Sequence, residues 1–511
     1  MLLISYPGLA VIVTIVGAWS LYSFWFRQNS KLLPPGPPRL PIIGNLHQAP
    51  KLNPWRTYQE WTKKYGPIFS LQYGKDTVII LGTSEAARDL LDKRSNIYSS
   101  RPHSVMGGDC VSKGYRTLLM PYSDRWRKHQ RLQASYLNIR ISQTYRPLQD
   151  LESKQLIYEM LSTDDFSDRF HRYSSSLIFA LAYGKRLLRG DEREAQEIEE
   201  IMENFLYAAR IGTWIVDAIP ALNYLPAFLA PWKRIGDKFH NIEARLYTTN
   251  MSNARKTESW NWSKQVSPMK EAQEMSNLEL AYDIGITYEA GSDTTTMALE
   301  VFTMAAVLNP SFVQRAQEEL DNVVGVNRLP NFDDRGRLPF IEAVVKEVLR
   351  WRPVSAGGIP HAVVQDDEYM GFRIPKDAIV IGNHWSIHLD QDVYQDAYEF
   401  KPERWIDNPE LPLRAFGFGR RVCTGQHIAG NSLFINIARL LWAFDIGYAY
   451  ENGQRQEIDS LAMTQGFNSR PMPFKASFKV RDLGRKLIVE REWANAEKGV
   501  DIVLEGIHSS M

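Results

Sequence analysis

Two cysteines, Cys110 and Cys423, occur in the 511 residues, so any thiol chemistry rests on one of them. So low a count argues against a disulfide scaffold and fits a reducing compartment. A lone cysteine among apolar residues is commonly an inert core side chain, and that reading suits Cys110. Cys423 has a different setting. The run Phe416-Gly-Phe-Gly-Arg-Arg-Val-Cys-Thr-Gly425 leads directly into an apolar helical pattern from about Gln426 to Phe444. A cysteine just ahead of a helix start meets unpaired backbone N–H groups and the positive end of the dipole, which lower its pKa and hydrogen-bond the sulfur. Gly419 and Gly425 let the backbone pass close to a bound group. A dinucleotide-binding reading of Gly417-Phe418-Gly419 fails, because Val422 stands where the third glycine belongs and no parallel-strand unit surrounds it.

A second constellation is Ala290-Gly291-Ser292-Asp293-Thr294-Thr295, midway along a long helical pattern. Glycine inside a helix costs roughly 1 kcal/mol against alanine, so Gly291 needs a reason such as close approach to a bound group. The Thr294 hydroxyl can bond the Ala290 carbonyl and bend the helix.

These residues need a scaffold. Helical period predicts helices at Ser84–Lys93, Ser123–Tyr136, Ala195–Ala209, Lys233–Asn250, Ser276–Leu308, Ser311–Val324 and Pro339–Trp351. Ser276-Asn-Leu-Glu279 reads as a capping box and Pro310 as a stop, giving a helix about 50 Å long that must cross the core. Phe69–Tyr73 and Thr77–Leu81 around Gly74-Lys75-Asp76 read as a β-hairpin. After Trp351 short strands and turns precede a last helix, so the fold class expected is mainly α with a small β part. No internal repeat or low-complexity tract appears.

The cysteine loop resembles the cytochrome P-450 haem-binding signature, Phe-x-x-Gly-x-Arg-x-Cys-x-Gly, at every defined position, with Ala429 following. The long helix resembles that family's oxygen-binding segment, and the match extends in order from Pro34 to about Val480. The resemblance implies a haem-thiolate monooxygenase holding heme b (iron protoporphyrin IX), with Cys423 as axial ligand. A thiolate pushes electron density onto iron and favours O–O cleavage. Asp293 and Thr294 would form the proton relay. Phe416, Gly425, Ala290 and Gly291 would contact the cofactor, while Arg421, His361 and Trp126 would attend its propionates, which need polar partners when buried. Glu347, Arg350 and Arg404 match the family's structural ion cluster behind the haem. One departure stands at Gln130, four residues after Trp126, where the family usually has arginine; Arg127 is the better-placed substitute, since Arg131 points about 100° away.

Lys+Arg 60 against Asp+Glu 59 gives a formal charge of +1, so no field draws this chain to nucleic acid. Met1–Phe26 carries no charged side chain, and Gly8–Phe26 as a helix would span roughly 28 Å. It lacks the basic start and cleavage site of a signal peptide. The expected organisation is a transmembrane signal anchor (1–27), a stiff proline-rich linker (28–44) and a haem-binding domain (45–511). Arg27, Lys31 and Arg39 after the run place the body in the cytosol, on a single-pass endoplasmic reticulum anchor among membrane lipid. Asn250 and Asn261 head sequons read as chance matches. Residues 424–511 are too few for flavin domains, so a separate NADPH-cytochrome P-450 reductase is the expected electron donor. The texture, including Gly466–Pro471, resembles microsomal enzymes of filamentous fungi that tailor polyketides, terpenoids or alkaloids. A lipophilic substrate is expected between 104–121, 205–232, Ala290, 354–359 and 463–468. Val216–Leu222 fits a membrane-dipping loop or plain core packing. His384 and His388 suggest a metal pair only weakly, because Trp385 replaces the glutamate a hydrolase needs. Rival activities are a haem-thiolate isomerase or dehydratase, which needs no reductase and leaves the Asp293–Thr294 pair without a purpose, and a haem sensor without turnover.

Overall fold

The computed structural model describes residues 14, 17, 32–210 and 212–511. The anchor expected over 1–27 lies outside this set but for two positions. Among the described residues no single helix is long and apolar enough to cross a membrane.

Helix α1 (Pro54–Tyr65) leads into strands β1 (Ile68–Tyr73) and β2 (Asp76–Leu81), paired antiparallel from Ile68↔Leu81 to Tyr73↔Asp76. The hairpin is thus the one expected, with Gly74 in the left-handed region its turn requires. Strand β4 (Ile379–Gly382) pairs parallel to β2 and antiparallel to β3 (His361–Ala362), giving the order β1-β2-β4-β3. Ser84–Ala87 is α-helical and widens into a π-helical turn over Arg88–Lys93.

The proline-rich run is extended, as proline dictates, but it is not a free spacer. The Ser70 N–H donates to the Pro35 carbonyl at 2.8 Å and the Asn45 amide to Pro37 at 3.1 Å. The run is therefore laid along β1.

The helical body follows in chain order: α2 (Asp124–Leu137), α3 (Arg146–Glu159), α4 (Phe166–Tyr183), α5 (Arg193–Ala208), α6 (Pro231–Lys256), α7 (Asn277–Leu308), α8 (Pro310–Val323), α9 (Pro339–Trp351) and α10 (Gln426–Ala443). Expected helices match α2, α5 and α7–α10 to within two residues, while α6 runs six residues past the Asn250 expected as its end. The last helix is not α10: Leu483–Ala494 and Val500–Ser509 follow. Also unanticipated were α3 and α4. Helix α4 is buried around nearly its whole circumference, from Phe170 to Tyr183.

Helix α7 is the axis of the core. Its 32 residues are buried over most of their length, and α4 lies against it. Only half of the expected capping box forms: the Ser276 side chain accepts from the Glu279 N–H, while the Glu279 carboxylate turns to His129 at 2.9 Å and Arg125 at 2.7 Å. Gly291 owes its identity to this packing. A Cβ there would stand 2.7 Å from Ile178 Cγ1 of α4, so a neighbouring helix, and not a bound group, is what excludes a side chain.

Candidate haem site and cavity

A cavity of about 400 Å³ lies between α7 and the cysteine loop. Of the residues singled out in the sequence, Cys423, Arg421, Phe416, Gly425, Ala290, Gly291, Thr294, Trp126 and His361 all line it. Asp293 does not.

The cysteine loop is shaped by backbone bonds. The Cys423 N–H donates to the Phe416 carbonyl at 2.8 Å, closing the loop, and the Gly419 N–H donates to Asp92 at 2.7 Å. Gly419 has φ +52, and a Cβ would meet the Leu91 carbonyl at 2.2 Å. Its constraint therefore comes from the turn at Leu91, not from a cofactor as the sequence suggested. Gly425 is the N-cap of α10. Cys423 sits deep in the molecule, yet its surface is open because it faces the cavity. Burial pushes its thiol up, while the Gly425 and Gln426 N–H groups pull it down, as a helix start does to a thiolate.

Across the cavity the Thr294 hydroxyl donates to the Ala290 carbonyl at 2.9 Å, the expected bond, made within a continuous helix. The acid beside it is elsewhere. Asp293 Oδ1 accepts from Arg470 Nη2 at 2.6 Å, and Arg470 also reaches Glu300 at 3.2 Å. The acid–alcohol pair expected at the cavity is thus split, because successive helical residues point about 100° apart.

The Arg421 guanidinium donates to three carbonyls, Ser99 (2.7 Å), Thr117 (3.2 Å) and Met120 (2.6 Å), and lies 4.1 Å over the Trp126 ring. Beside it is a residue that sequence reasoning missed. Arg101 donates to the Leu118 carbonyl at 3.0 Å and Pro360 at 2.6 Å, and lines the same cavity. Among the described residues neither arginine pairs with a carboxylate. Burial, with the neighbouring Arg101 charge adding to it, pushes Arg421 down to about 8, and burial alone pushes Arg101 down to about 9. A lone Arg-Pro in a loop carries no periodicity, so nothing in the sequence marked Arg101. His361 completes the group; its Nδ1 donates to the Tyr98 carbonyl at 2.7 Å, and burial holds it neutral. Two buried cations bonded only to carbonyls, facing a cavity, fit a ligand with two carboxylates. The donor set suits a haem, whose propionates Arg421 and Arg101 would hold and whose iron the Cys423 thiolate would bind.

On α2, Gln130 lines the cavity and donates to the Arg420 carbonyl at 3.1 Å. Arg131 points outward to Glu271 at 3.3 Å. Arg127 is not the substitute expected: it pairs with Asp124 and lies over Tyr122, away from the cavity. The Glu347–Arg350–Arg404 cluster forms as expected. Arg350 grips Glu347 through two bonds of 2.8 and 2.7 Å, and Arg404 adds one of 3.1 Å. His388 Nε2 accepts from the Arg414 N–H at 3.0 Å, which binds the cluster's neighbourhood to the chain leading into the cysteine loop. Asn261 is buried and caps a helix at Lys264, so its sequon is closed to modification in the folded state.

The substrate walls agree in part. Thr117, Leu118, Phe205, Leu206, Val354, Ile359 and Phe467 line the cavity, but nothing beyond Leu206 in the stretch 205–232 does. In its place α4 contributes Tyr173, Ser174, Leu177 and Ile178.

The family model described as cytochrome P450 matches residues 34–478. The chain is 47% identical over 502 residues to cytochrome P450 monooxygenase FrzL of Cladobotryum sp, covering 98% of this chain and 97% of that one. It is 46% identical to cytochrome P450 monooxygenase aneD of Aspergillus aculeatus, over 94% of each. With cytochrome P450 monooxygenase drtD of Aspergillus calidoustus it shares 44%, over 98% of this chain and 94% of the other. A complete cysteine loop, a threonine on the crossing helix and a full-length match to such relatives lead to one conclusion: the chain belongs to the cytochrome P-450 family of haem-thiolate monooxygenases.

Proposed function

We propose that this chain is a microsomal monooxygenase that hydroxylates or epoxidises a lipophilic small molecule in fungal secondary metabolism. Cys423 would supply the thiolate that holds its haem iron. The observation that carries this reading is the meeting, in one cavity, of Cys423, the Thr294 hydroxyl and two guanidiniums that have no carboxylate partner among the described residues. Bound haem supplies the iron at which dioxygen is reduced, and thiolate ligation favours O–O cleavage.

The protein's own contributions follow from its geometry. Arg421 and Arg101 would hold the propionates of a bound haem, with Trp126 under Arg421 and neutral His361 alongside. Phe416, Gly425, Ala290 and Gly291, which line the cavity, would face its macrocycle. Thr294 keeps its donor on the Ala290 carbonyl, so its oxygen lone pairs remain to accept from a proton-bearing water. Asp293 joins the relay only when Arg470 lets its carboxylate go. Apolar walls from Leu177, Ile178, Leu206 and Val354 exclude bulk water and select a lipophilic substrate.

The chain is organised as an anchor (1–27), a proline-rich segment (28–44) and a catalytic domain (45–511), on the cytosolic face of the endoplasmic reticulum. NADPH-cytochrome P-450 reductase is the electron donor. The exposed Ile215, Ile219, Tyr224 and Phe228 favour the membrane-dipping reading of the neighbouring loop. The fungal origin of the named relatives supports a tailoring role. The test is spectroscopic: the ferrous-carbonyl Soret band is expected red-shifted in the wild type and unshifted in Cys423→His. Retention of the shift in that variant excludes Cys423. With reductase, Thr294→Ala is expected to bind haem and substrate but to send reducing equivalents to peroxide. Substrate-dependent NADPH consumption separates this reading from a reductase-independent isomerase or a sensor.

A further inference from the structure

Two histidines face the cavity, and one offers it a lone pair while the other offers an N–H. Strands β3 and β4 bring them together: His361 begins β3 and pairs with Val380, and His384 follows two residues after β4 ends. Both line the cavity, and both are buried, keeping 5% and 4% of their surface. His361 donates through Nδ1 to the Tyr98 carbonyl. A neutral imidazole carries a single N–H, so His361 turns the Nε2 lone pair to the cavity. His384 is the reverse. Its Nδ1 is sealed in without a partner, whereas Nε2 is neither bonded nor sealed among the described residues. The little surface that the ring keeps at the cavity therefore includes Nε2. The Phe418 ring of the cysteine loop stands at 66° to it, centre to centre at 5.4 Å. Burial pushes His384 down to about 4, with no carboxylate among the described residues opposing. The titratable groups around it are His361 and His388, with Arg101 and Arg421 beyond His361. The ring is thus neutral. Its Nε2–H tautomer leaves only a lone pair in the sealed position, while the other tautomer orphans a buried N–H, the rarer outcome in proteins.

Resting on the reading above that the cavity holds a haem, we propose that His384, and not His361, is the histidine that donates to a haem propionate. The His361 lone pair repels a carboxylate, whereas the His384 N–H is an unused donor in a buried site, which is what a desolvated anion needs. His361 can donate to the cavity only by taking up a second proton, and the Arg101 and Arg421 charges beside it oppose that. His384 adds a donor without adding charge, since the two guanidiniums already match two propionates in sign and number. Charge neutralisation falls to the arginines and one further hydrogen bond to a neutral imidazole.

The test is haem transfer from the purified full-length holoenzyme to an excess of apomyoglobin, at pH 6 and at pH 8. His384→Leu is expected to speed transfer about tenfold at both, the loss of one hydrogen bond to a charged group. His384→Gln, which keeps an N–H donor, is expected to restore most of the wild-type rate, and His361→Gln to change it little at either pH. A wild-type rate in His384→Leu overturns the proposal. So does a rate in His384→Gln as fast as in His384→Leu, which would make the imidazole a packing group. An effect of His361→Gln that is larger at pH 6 than at pH 8 overturns it too, because a donating His361 must be doubly protonated. If His384→Leu fails to fold, His384→Met, likewise without an N–H, takes its place in the series. An unshifted ferrous-carbonyl Soret band in the wild type would instead refute the haem-thiolate reading and leave the transfer series to be judged by itself.

Discussion

Buried charge is handled in two opposite ways in this molecule. Behind the cysteine loop, Glu347 is wholly enclosed, yet each of its oxygens meets a guanidinium, and the Trp405 N–H adds a bond at 2.9 Å. At the cavity, Arg101 is buried and Arg421 half-buried, and among the described residues both bond only carbonyls. The first arrangement is finished within the protein; the second waits for an anion. Lack of a carboxylate alone does not mark a site, as Arg352 shows. Burial pushes it down to about 9, with Asp459 opposing, but it lies between the Trp351 and Trp385 rings at 4.0 and 5.2 Å and outside the cavity wall. A buried cation facing a cavity without an anion is the informative combination.

The contrast is most severely tested by removing the anion of the finished cluster. Glu347→Ala leaves Arg350 and Arg404 buried without a counter-charge and is expected to cost about 3–5 kcal/mol, read as a fall in the denaturant midpoint. An unchanged midpoint would mean that water reaches the cluster.

A pH-dependent version exists at His129, enclosed with Asp283 at 2.8 Å and Glu279 at 2.9 Å. Although burial alone would lower its pKa, the two carboxylates raise it to about 9, and His129 in turn draws Glu279 down to about 2. The folded value of His129 lies above the ordinary 6.5, so its stabilisation is fully present below pH 6.5 and is lost as pH rises through about 9. His129→Gln is expected to remove on the order of 3 kcal/mol at pH 6 and much less at pH 9.5, measured by denaturation at both values. A constant difference would show that the imidazole is uncharged.

At the unfinished site the same operation has the opposite signature. Arg421→Met and Arg101→Met are expected to leave the stability of the haem-free chain unchanged or improved, since each deletes an unpaired charge. Each should speed haem transfer to an excess apo-acceptor by about 10- to 100-fold, the loss of a charged hydrogen bond worth about 1.5–3 kcal/mol. Destabilised haem-free chain with unaltered haem transfer would reverse the assignment.

Gln130 gives the smallest effect. Its amide is a neutral donor lining the cavity, so Gln130→Arg is expected to slow haem loss by roughly fivefold, or about 1 kcal/mol. Arg131→Ala, on the outward face, should change it little.

Much of the site was readable because its signals are local. Cys423, Arg421 and the glycines lie in one loop, and Thr294 bonds the residue four places before it, as helical geometry requires. Glu347 and Arg350 share a helix face. Signals that depend on distant segments were not readable. Arg101 takes meaning only from Pro360 and Leu118, and Asp293 is turned aside by Arg470, 177 positions onward. Arg127 was the natural replacement for a missing arginine until Asp124 and Tyr122 were seen to hold it. Gly291 and Gly419 were rightly judged constrained and wrongly explained, since sequence shows that a side chain is forbidden without showing which neighbour forbids it.

The thiolate loop, the crossing helix and the hairpin are each specified by residues within a few positions of one another, so their identity is local information. Which charges are paired and which stay open is set by folding, because it depends on carbonyls, carboxylates and rings brought together from segments far apart in the chain. Burial then makes each such pairing, or its absence, strong enough to matter.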